Sequence, residues 1–271
     1  MGGGRQNGSI MMMSESARRL HVHMFGSPGG LPVLALHGVT GHGARWQPLA
    51  EAVPELRWIG VDLRGHGRSP WSPPWSIEQH VQDALGVLDR LEIADVAVVG
   101  HSFGGAVAVH LARTAPDRVE RLVLLDPAIG LDADDMLETA EDTRADETFP
   151  DIDAARADRT DRWKGVAPEL VEAEVVAHLA HFEDRWEWRY CRSAAITAWS
   201  EMARPALTPP RGTPTLIMPA SRADFVEPAW LERCRAELGN ALTVTEIDSG
   251  HMLFLERTAE VAAAVREFVV G

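Results

Sequence analysis

The sequence holds only two cysteines, Cys191 and Cys234, at no spacing that suits a metal ion. A disulfide framework is therefore excluded, and both are read as free thiols. No run of about 18 apolar residues occurs, so no transmembrane helix is expected. The first residues lack the apolar stretch of a secretory signal. Gly2 follows Met1, but Gln6 stands where myristoylation requires Ser or Thr. Cations are also in short supply: 26 Lys and Arg against 40 Asp and Glu give a net charge of −14. Nucleic acids and anionic membrane surfaces select basic patches, so neither is expected as a partner. The reading is a cytoplasmic protein without stable membrane insertion, with homo-oligomerisation left open.

What is present is a core. The chain has 271 residues, 45% of them hydrophobic, enough for one globular α/β domain with an insertion. Residues 1–18, which include the run Met11 to Met13, are expected to form a disordered lead. From Arg19 onward, short apolar runs alternate with helical patterns. Strands are predicted at Arg19–Phe25, Leu31–Leu36, Leu56–Val61, Val96–Val99 and Leu122–Leu125. Ser76 opens a helix, with Gln79 as a capping-box partner. A second helix runs from about Phe103 to Thr114 and stops before Pro116. Strands that are apolar throughout belong to a parallel sheet covered on both faces, and right-handed crossovers make it doubly wound.

The alternation breaks after Asp126. Residues 128–208 contain no convincing strand and are read as a helical cap. Its first part, Asp132 to Asp161, is crowded with acids and is expected to be a solvated, mobile surface. Its second part carries Trp186, Trp188 and Trp199 with helical periodicity. The sheet then resumes with strands at Thr215–Met218 and Leu242–Ile247 and helices at Pro228–Leu238 and Thr258–Val269. The core is thus 19–127 and 209–271, with the cap between them.

One turn carries chemistry. Gly100-His101-Ser102-Phe103-Gly104-Gly105 joins a strand to a helix. A serine on so sharp a turn projects its Oγ above the sheet, and glycines fill the positions too close for a Cβ. Such glycine-rich turns also bind phosphates, but this one lacks the lysine of a P-loop.

With that turn, three further motifs resemble the α/β-hydrolase superfamily, over nearly the whole chain from about residue 19. His37-Gly38-Val39-Thr40-Gly41 resembles the family's oxyanion loop. Asp62-Leu63-Arg64-Gly65-His66-Gly67-Arg68-Ser69 resembles the turn after its next strand, and Ser249-Gly250-His251 its catalytic-histidine loop. The resemblance implies Ser102 as nucleophile, His251 as base, and the backbone N–H groups of Val39 and Phe103 as the oxyanion hole. It makes His37 and His101 structural or pocket-lining. For the acid it points to Asp224, in the loop after Thr215–Met218. There the text departs from the common pattern, with Ala220 where glycine is usual and one extra residue before Asp224. Asp126, at the end of the preceding strand, is the alternative location. Asp224 is favoured, so Asp224→Asn is expected to cost far more activity than Asp126→Asn.

The implied activity is a serine carboxylesterase or lipase acting on apolar esters of short-to-medium acyl groups, with no cofactor and no metal. His178 and His181, three apart on a predicted helix, offer no third metal ligand. Other members of the superfamily are carbon–carbon bond hydrolases, cofactor-free peroxidases, or small-molecule binders without turnover. Met252-Leu253-Phe254 after His251 favours ester hydrolases and the peroxidases over carbon–carbon hydrolases, which often have Trp there. The specificity is expected to reside in the cap.

Overall fold

The computed structural model describes residues 19–145 and 148–271. The expected lead, 1–18, lies outside the described residues. The strands are β1 (Val22–Gly26), β2 (Pro32–Leu36), β3 (Arg57–Val61), β4 (Val96–His101), β5 (Val119–Leu125), β6 (Leu179–Phe182), β7 (Arg185–Trp188), β8 (Thr215–Met218) and β9 (Leu242–Val244). The α-helices are α1 (Gln47–Ala52), α2 (Ile77–Arg90), α3 (Phe103–Thr114), α4 (Ala133–Arg144), α5 (Ile152–Arg162), α6 (Pro168–His178), α7 (Arg192–Met202), α8 (Pro228–Leu238), α9 (Leu253–Glu256) and α10 (Thr258–Val270).

Seven strands form one sheet in the order β1-β3-β2-β4-β5-β8-β9. Only β1 is antiparallel to its neighbour. Because successive side chains alternate faces, each apolar strand feeds two cores. Leu34, Leu36, Val98, Leu122, Leu124 and Ile217 face α2, α3 and α8. Val33, Ala35, Val99, Val123, Leu125 and Leu216 face α1, α9 and α10. This is the physical reason that the strands read as continuous apolar runs rather than alternating ones.

The caps follow local chemistry. The Ser76 hydroxyl accepts the Gln79 N–H at 3.4 Å, as the sequence predicts. The Gln79 side chain does not reach back, however; it donates to Asp83. The predicted strand 242–247 stops as a regular strand at Val244, yet Ile247 still bridges to Ala220. That bridge carries the loop of His251 alongside the β8 loop.

Residues 128–208 do form an insertion between β5 and β8, but it is not wholly helical. Leu179–Phe182 and Arg185–Trp188 pair as an antiparallel hairpin, so Trp186 and Trp188 lie on a strand. The turn, Glu183-Asp184, has no Asn-Gly signal and places Glu183 at φ 53°, which is why the pattern was illegible. The acids of its first part serve the helices: Asp132 caps α4 through Asp134 N–H and Asp135 N–H, and Asp151 caps α5 through Ala154 N–H. Backbone bonds fasten the insertion to the core, from Gly67 N–H to Arg189 C=O and from Cys191 N–H to Gly65 C=O.

Leu34 is fully buried at the centre of this packing. Leu34→Ala should therefore lower the unfolding free energy by about 2–5 kcal/mol in urea titration, with the slope unchanged.

Candidate active site

Strand β4 runs into α3 through Ser102, which is held at φ 54° and ψ −122°. Such backbone is costly for a non-glycine residue and has to be held by its surroundings. Here Ser102 N–H donates to Leu125 C=O at 3.2 Å, and Ser102 C=O accepts from Gly105 N–H at 2.8 Å and Ala128 N–H at 3.2 Å. The glycines of the motif are required by close approach. A Cβ on Gly100 would stand 2.4 Å from Gly104 C=O, and one on Gly104 would stand 2.1 Å from Leu36 C=O.

The loop after β2 passes directly over this turn. A Cβ on Gly38 would lie 2.9 Å from Ser102 Cβ and 3.3 Å from Ser102 Oγ. The His37 ring fixes the orientation of the peptide there. Its Nε2 accepts Leu63 N–H at 2.9 Å, so its Nδ1 carries the proton and donates to Gly38 C=O at 2.7 Å. Gly41 N–H donates to the same carbonyl at 3.0 Å. In a trans peptide the carbonyl and the following N–H point oppositely. The Val39 N–H is thereby turned away from these donors, and it meets no acceptor among the described residues. The Phe103 N–H, at the first position of α3, is likewise without an acceptor.

His251 lies in the loop between β9 and α9. Its Nδ1 donates to Asp126 Oδ2 at 2.6 Å, which leaves Nε2 as the basic nitrogen. Asp126 directly follows β5, is fully buried, and its Oδ1 accepts Ala220 N–H at 3.0 Å. The ring of His251 stacks on Phe225 at 3.9 Å between centroids. His101 Nε2 donates to the His251 carbonyl at 2.8 Å. Burial, then the adjacent His251, holds the His101 pKa well below the usual histidine value. His101 is thus a neutral ring beside His251 rather than a competing charge. Glu256 accepts Gly250 N–H at 2.8 Å and pairs with Arg222, pinning the loop from its other side.

A model of the Alpha/beta hydrolase family matches residues 33–264. The chain belongs to the α/β hydrolase family. Among curated relatives, this hydrolase is 41% identical over 251 residues to Lipase LipV of Mycobacterium tuberculosis, covering 91% of this chain and 96% of that one. It is 26% identical to Esterase YbfF of Escherichia coli, covering 88% of this chain and 92% of that one. Among solved structures, E-2-(acetamidomethylene)succinate hydrolase superposes with a TM-score of 0.79 at 22% identity, covering 93% of this chain and 95% of that one, a likeness of fold.

Within this α/β hydrolase, the Gly38–Val39 loop lies over Ser102, Phe103 follows Ser102 at the start of α3, and the His251 loop is tied to the same turn through its carbonyl, bonded to His101. Asp224 does not join them. It is exposed and has no hydrogen-bond partner among the described residues. The acid in contact with His251 is Asp126, which corrects the expectation. The β8 loop supports Asp126 through Ala220 N–H and presents Phe225, the neighbour of Asp224, to the imidazole. The legible signal was the place of Asp126 at the end of the strand that pairs with the serine strand, with His101 opposite Leu125. The roles of Phe225 and Glu256 had no sequence signal, because each depends on a contact made by folding.

Metal ligation is poorly supplied. His178 ends α6, fully buried, and His181 lies exposed on β6, so the two are not neighbours on one helix face. Among the described residues, His21, His23 and Asp62 have donor atoms within 4.8 Å of one another. The Asp62 carboxylate, however, is already used by Gly43 N–H at 2.7 Å, Arg68 N–H at 2.8 Å and His23 Nε2 at 3.0 Å. Those bonds hold the turn after β3.

Two outcomes follow from this geometry. Asp126→Asn should reduce kcat toward ester substrates by about 10⁴-fold by disfavouring the required tautomer, while Asp224→Asn stays within about threefold; steady-state kinetics of both variants decides. Burial lowers His66 from 6.5 to about 4, so the unfolded chain binds the proton more readily. Its stabilisation is complete above about pH 6.5 and is lost as pH falls through about 4. Urea midpoints should fall across that window, and less steeply in His66→Gln.

Proposed function

We propose that this α/β hydrolase cleaves carboxylic esters of apolar, short-to-medium acyl groups through an acyl-enzyme on Ser102. The observation that carries the reading is the 2.6 Å bond from His251 Nδ1 to Asp126, set behind a strained serine turn flanked by two unbonded N–H groups. The lipase and esterase relatives support it.

In this mechanism His251 Nε2 takes the Ser102 Oγ proton as Oγ bonds to the ester carbonyl carbon. Asp126 orients the ring and stabilises its charged form. The carbonyl oxygen becomes an oxyanion at the Val39 and Phe103 N–H groups, each worth about 3 kcal/mol in the transition state. As the tetrahedral intermediate collapses, the carbon–oxygen bond to the alcohol breaks and His251 returns the proton to the leaving oxygen. Water then attacks the acyl-enzyme with His251 again as base, releasing the acid and restoring Ser102. No step calls for a metal or an organic cofactor.

An apolar acyl group is suited by Val39, Phe225 and Trp199, partly buried side chains that pack against the core. A cavity of about 530 Å³ lies beside the loop at Thr40, with Tyr190 and Trp199 but also Asp142, Arg159 and Arg162 in its wall; its size suits a small molecule, and it borders the loop next to Val39 rather than Ser102 itself. The insertion forms most of its wall, so we assign it the role of a cap.

A fluorophosphonate should label Ser102 in the wild-type protein and fail in Ser102→Ala. In a panel of p-nitrophenyl esters set beside a vinylogous diketone, the esters should turn over fastest at short-to-medium chain length. Preference for the diketone would move the assignment to carbon–carbon hydrolysis. A folded protein that neither labels nor turns over any of them would be a binding member of the fold.

A further inference from the structure

The insertion touches the oxyanion loop through a buried ion pair that the mechanism above does not use. Thr40 follows Val39 and sits at φ 61°, a conformation that a β-branched residue rarely adopts. It is gripped at both ends. Its N–H donates to His66 Nε2 at 3.3 Å, and its carbonyl accepts Arg45 Nη2–H at 3.2 Å. The remaining reach of Arg45 is spent on one carboxylate of the insertion. Arg45 Nε donates to Glu174 Oε2 at 3.1 Å and Nη2 to Oε1 at 2.5 Å, while His42 Nε2 meets Oε2 at 2.9 Å. The side chains of Arg45, His42 and Glu174 are all at least 95% buried, and the indole of Trp163 covers Arg45 at 5.0 Å.

Burial alone would raise the Glu174 carboxyl, but Arg45 and His42 hold it well below the usual carboxylate range. It therefore stays charged and keeps its grip on the guanidinium. Attachment of the insertion does not require it. Backbone bonds from Gly67 N–H to Arg189 C=O and from Cys191 N–H to Gly65 C=O already fasten the insertion elsewhere. What Glu174 adds is a fixed position for Arg45, and through it for the Thr40 peptide.

We propose that Glu174 and Arg45 are positioning residues of the oxyanion loop, so that the insertion helps to aim the Val39 N–H as well as to enclose the substrate. The inference rests on the ester-hydrolysis reading for its kinetic consequence, but not for its structural one. With Arg45 unanchored, the Thr40 carbonyl loses its donor, the φ 61° turn relaxes, and the Val39 N–H swings out of line. Misplacement on the order of 1 Å costs about 100-fold, and loss of one oxyanion donor costs about 100- to 1,000-fold.

The test compares full-length wild type, Glu174→Gln, Arg45→Lys and Arg204→Ala. Arg45→Lys keeps the buried charge but cannot span Glu174 and the Thr40 carbonyl together. Arg204→Ala removes an ion pair from the insertion to Glu78 of α2 and lies outside the site. Three quantities are read below the melting temperature of every variant: p-nitrophenyl ester kinetics, affinity for a trifluoromethyl ketone, and amide hydrogen exchange at residues 38–42. Glu174→Gln and Arg45→Lys should each lower kcat about 10- to 100-fold with KM within about threefold. They should weaken the ketone, which mimics the oxyanion, in proportion, and speed exchange at residues 38–42 at least about tenfold. Arg204→Ala should change none of these, even if its melting temperature falls. Unchanged kcat, ketone affinity and exchange in Arg45→Lys, or in a folded Glu174→Gln, would reduce the cluster to a staple and overturn the inference. If wild type neither labels with fluorophosphonate nor hydrolyses esters, the functional reading fails, and the exchange rates alone decide whether the insertion holds the loop.

Discussion

The hydrogen bond between His251 and Asp126 joins two residues 125 positions apart, and the architecture around it is what makes it short. Both groups sit on the edge of the sheet where the parallel strands end. Asp126 directly follows β5, the strand next to the serine strand, and its N–H bonds to Met218 C=O at the end of β8. The irregular continuation of β9, through Ile247 to Ala220, delivers the His251 loop to the same place. A parallel sheet buried on both faces leaves this edge as the region where loops from several strands converge. The apolar packing of the two layers is therefore the condition for the polar contact.

Around that contact lies a set of buried histidines that act as neutral hydrogen-bonding spacers. His37, His66 and His101 are each nearly inaccessible, and burial lowers each pKa. A neutral imidazole has one donor and one acceptor, so each ring can tie two backbone segments in a defined sense. His37 links Leu63 to Gly38, and His66 links Arg64 to Thr40. These rings set the peptide planes of the loop over Ser102, and a protonated ring would lose the acceptor on which that depends.

The insertion belongs to the same network. The segment after its hairpin, Arg189 to Cys191, docks on the turn 64–67, and its helix α6 brings Glu174 to Arg45. Removing one partner of a buried pair leaves an uncompensated charge, which commonly costs about 3–5 kcal/mol. The pair therefore resists rearrangement, and it ties α6 of the insertion to the loop that carries Val39 and Thr40.

The amino-acid sequence by itself determined the sheet, the serine turn and the histidine loop. These are local: runs of Val, Leu and Ile separated by helical spacing, and glycines at positions where a Cβ would collide within a few residues or with the adjoining strand. It also marked Val39 and Phe103, because each follows a motif residue directly. Only the tertiary structure decided between Asp126 and Asp224. Both end or follow a strand at the correct edge, and the choice turns on which carboxylate is buried against the imidazole and which side of the β8 loop faces it. The hairpin of the insertion was hidden for a related reason: its turn residues carry no intrinsic signal, and its pairing is stabilised by packing of Trp186, Trp188 and Phe149. Glu174 and Arg45 stand 129 residues apart, and nothing in a linear pattern distinguishes a buried partner from the many exposed acids around it. Burial, which turns a charge from a surface ornament into a positioning device, is a property of the fold.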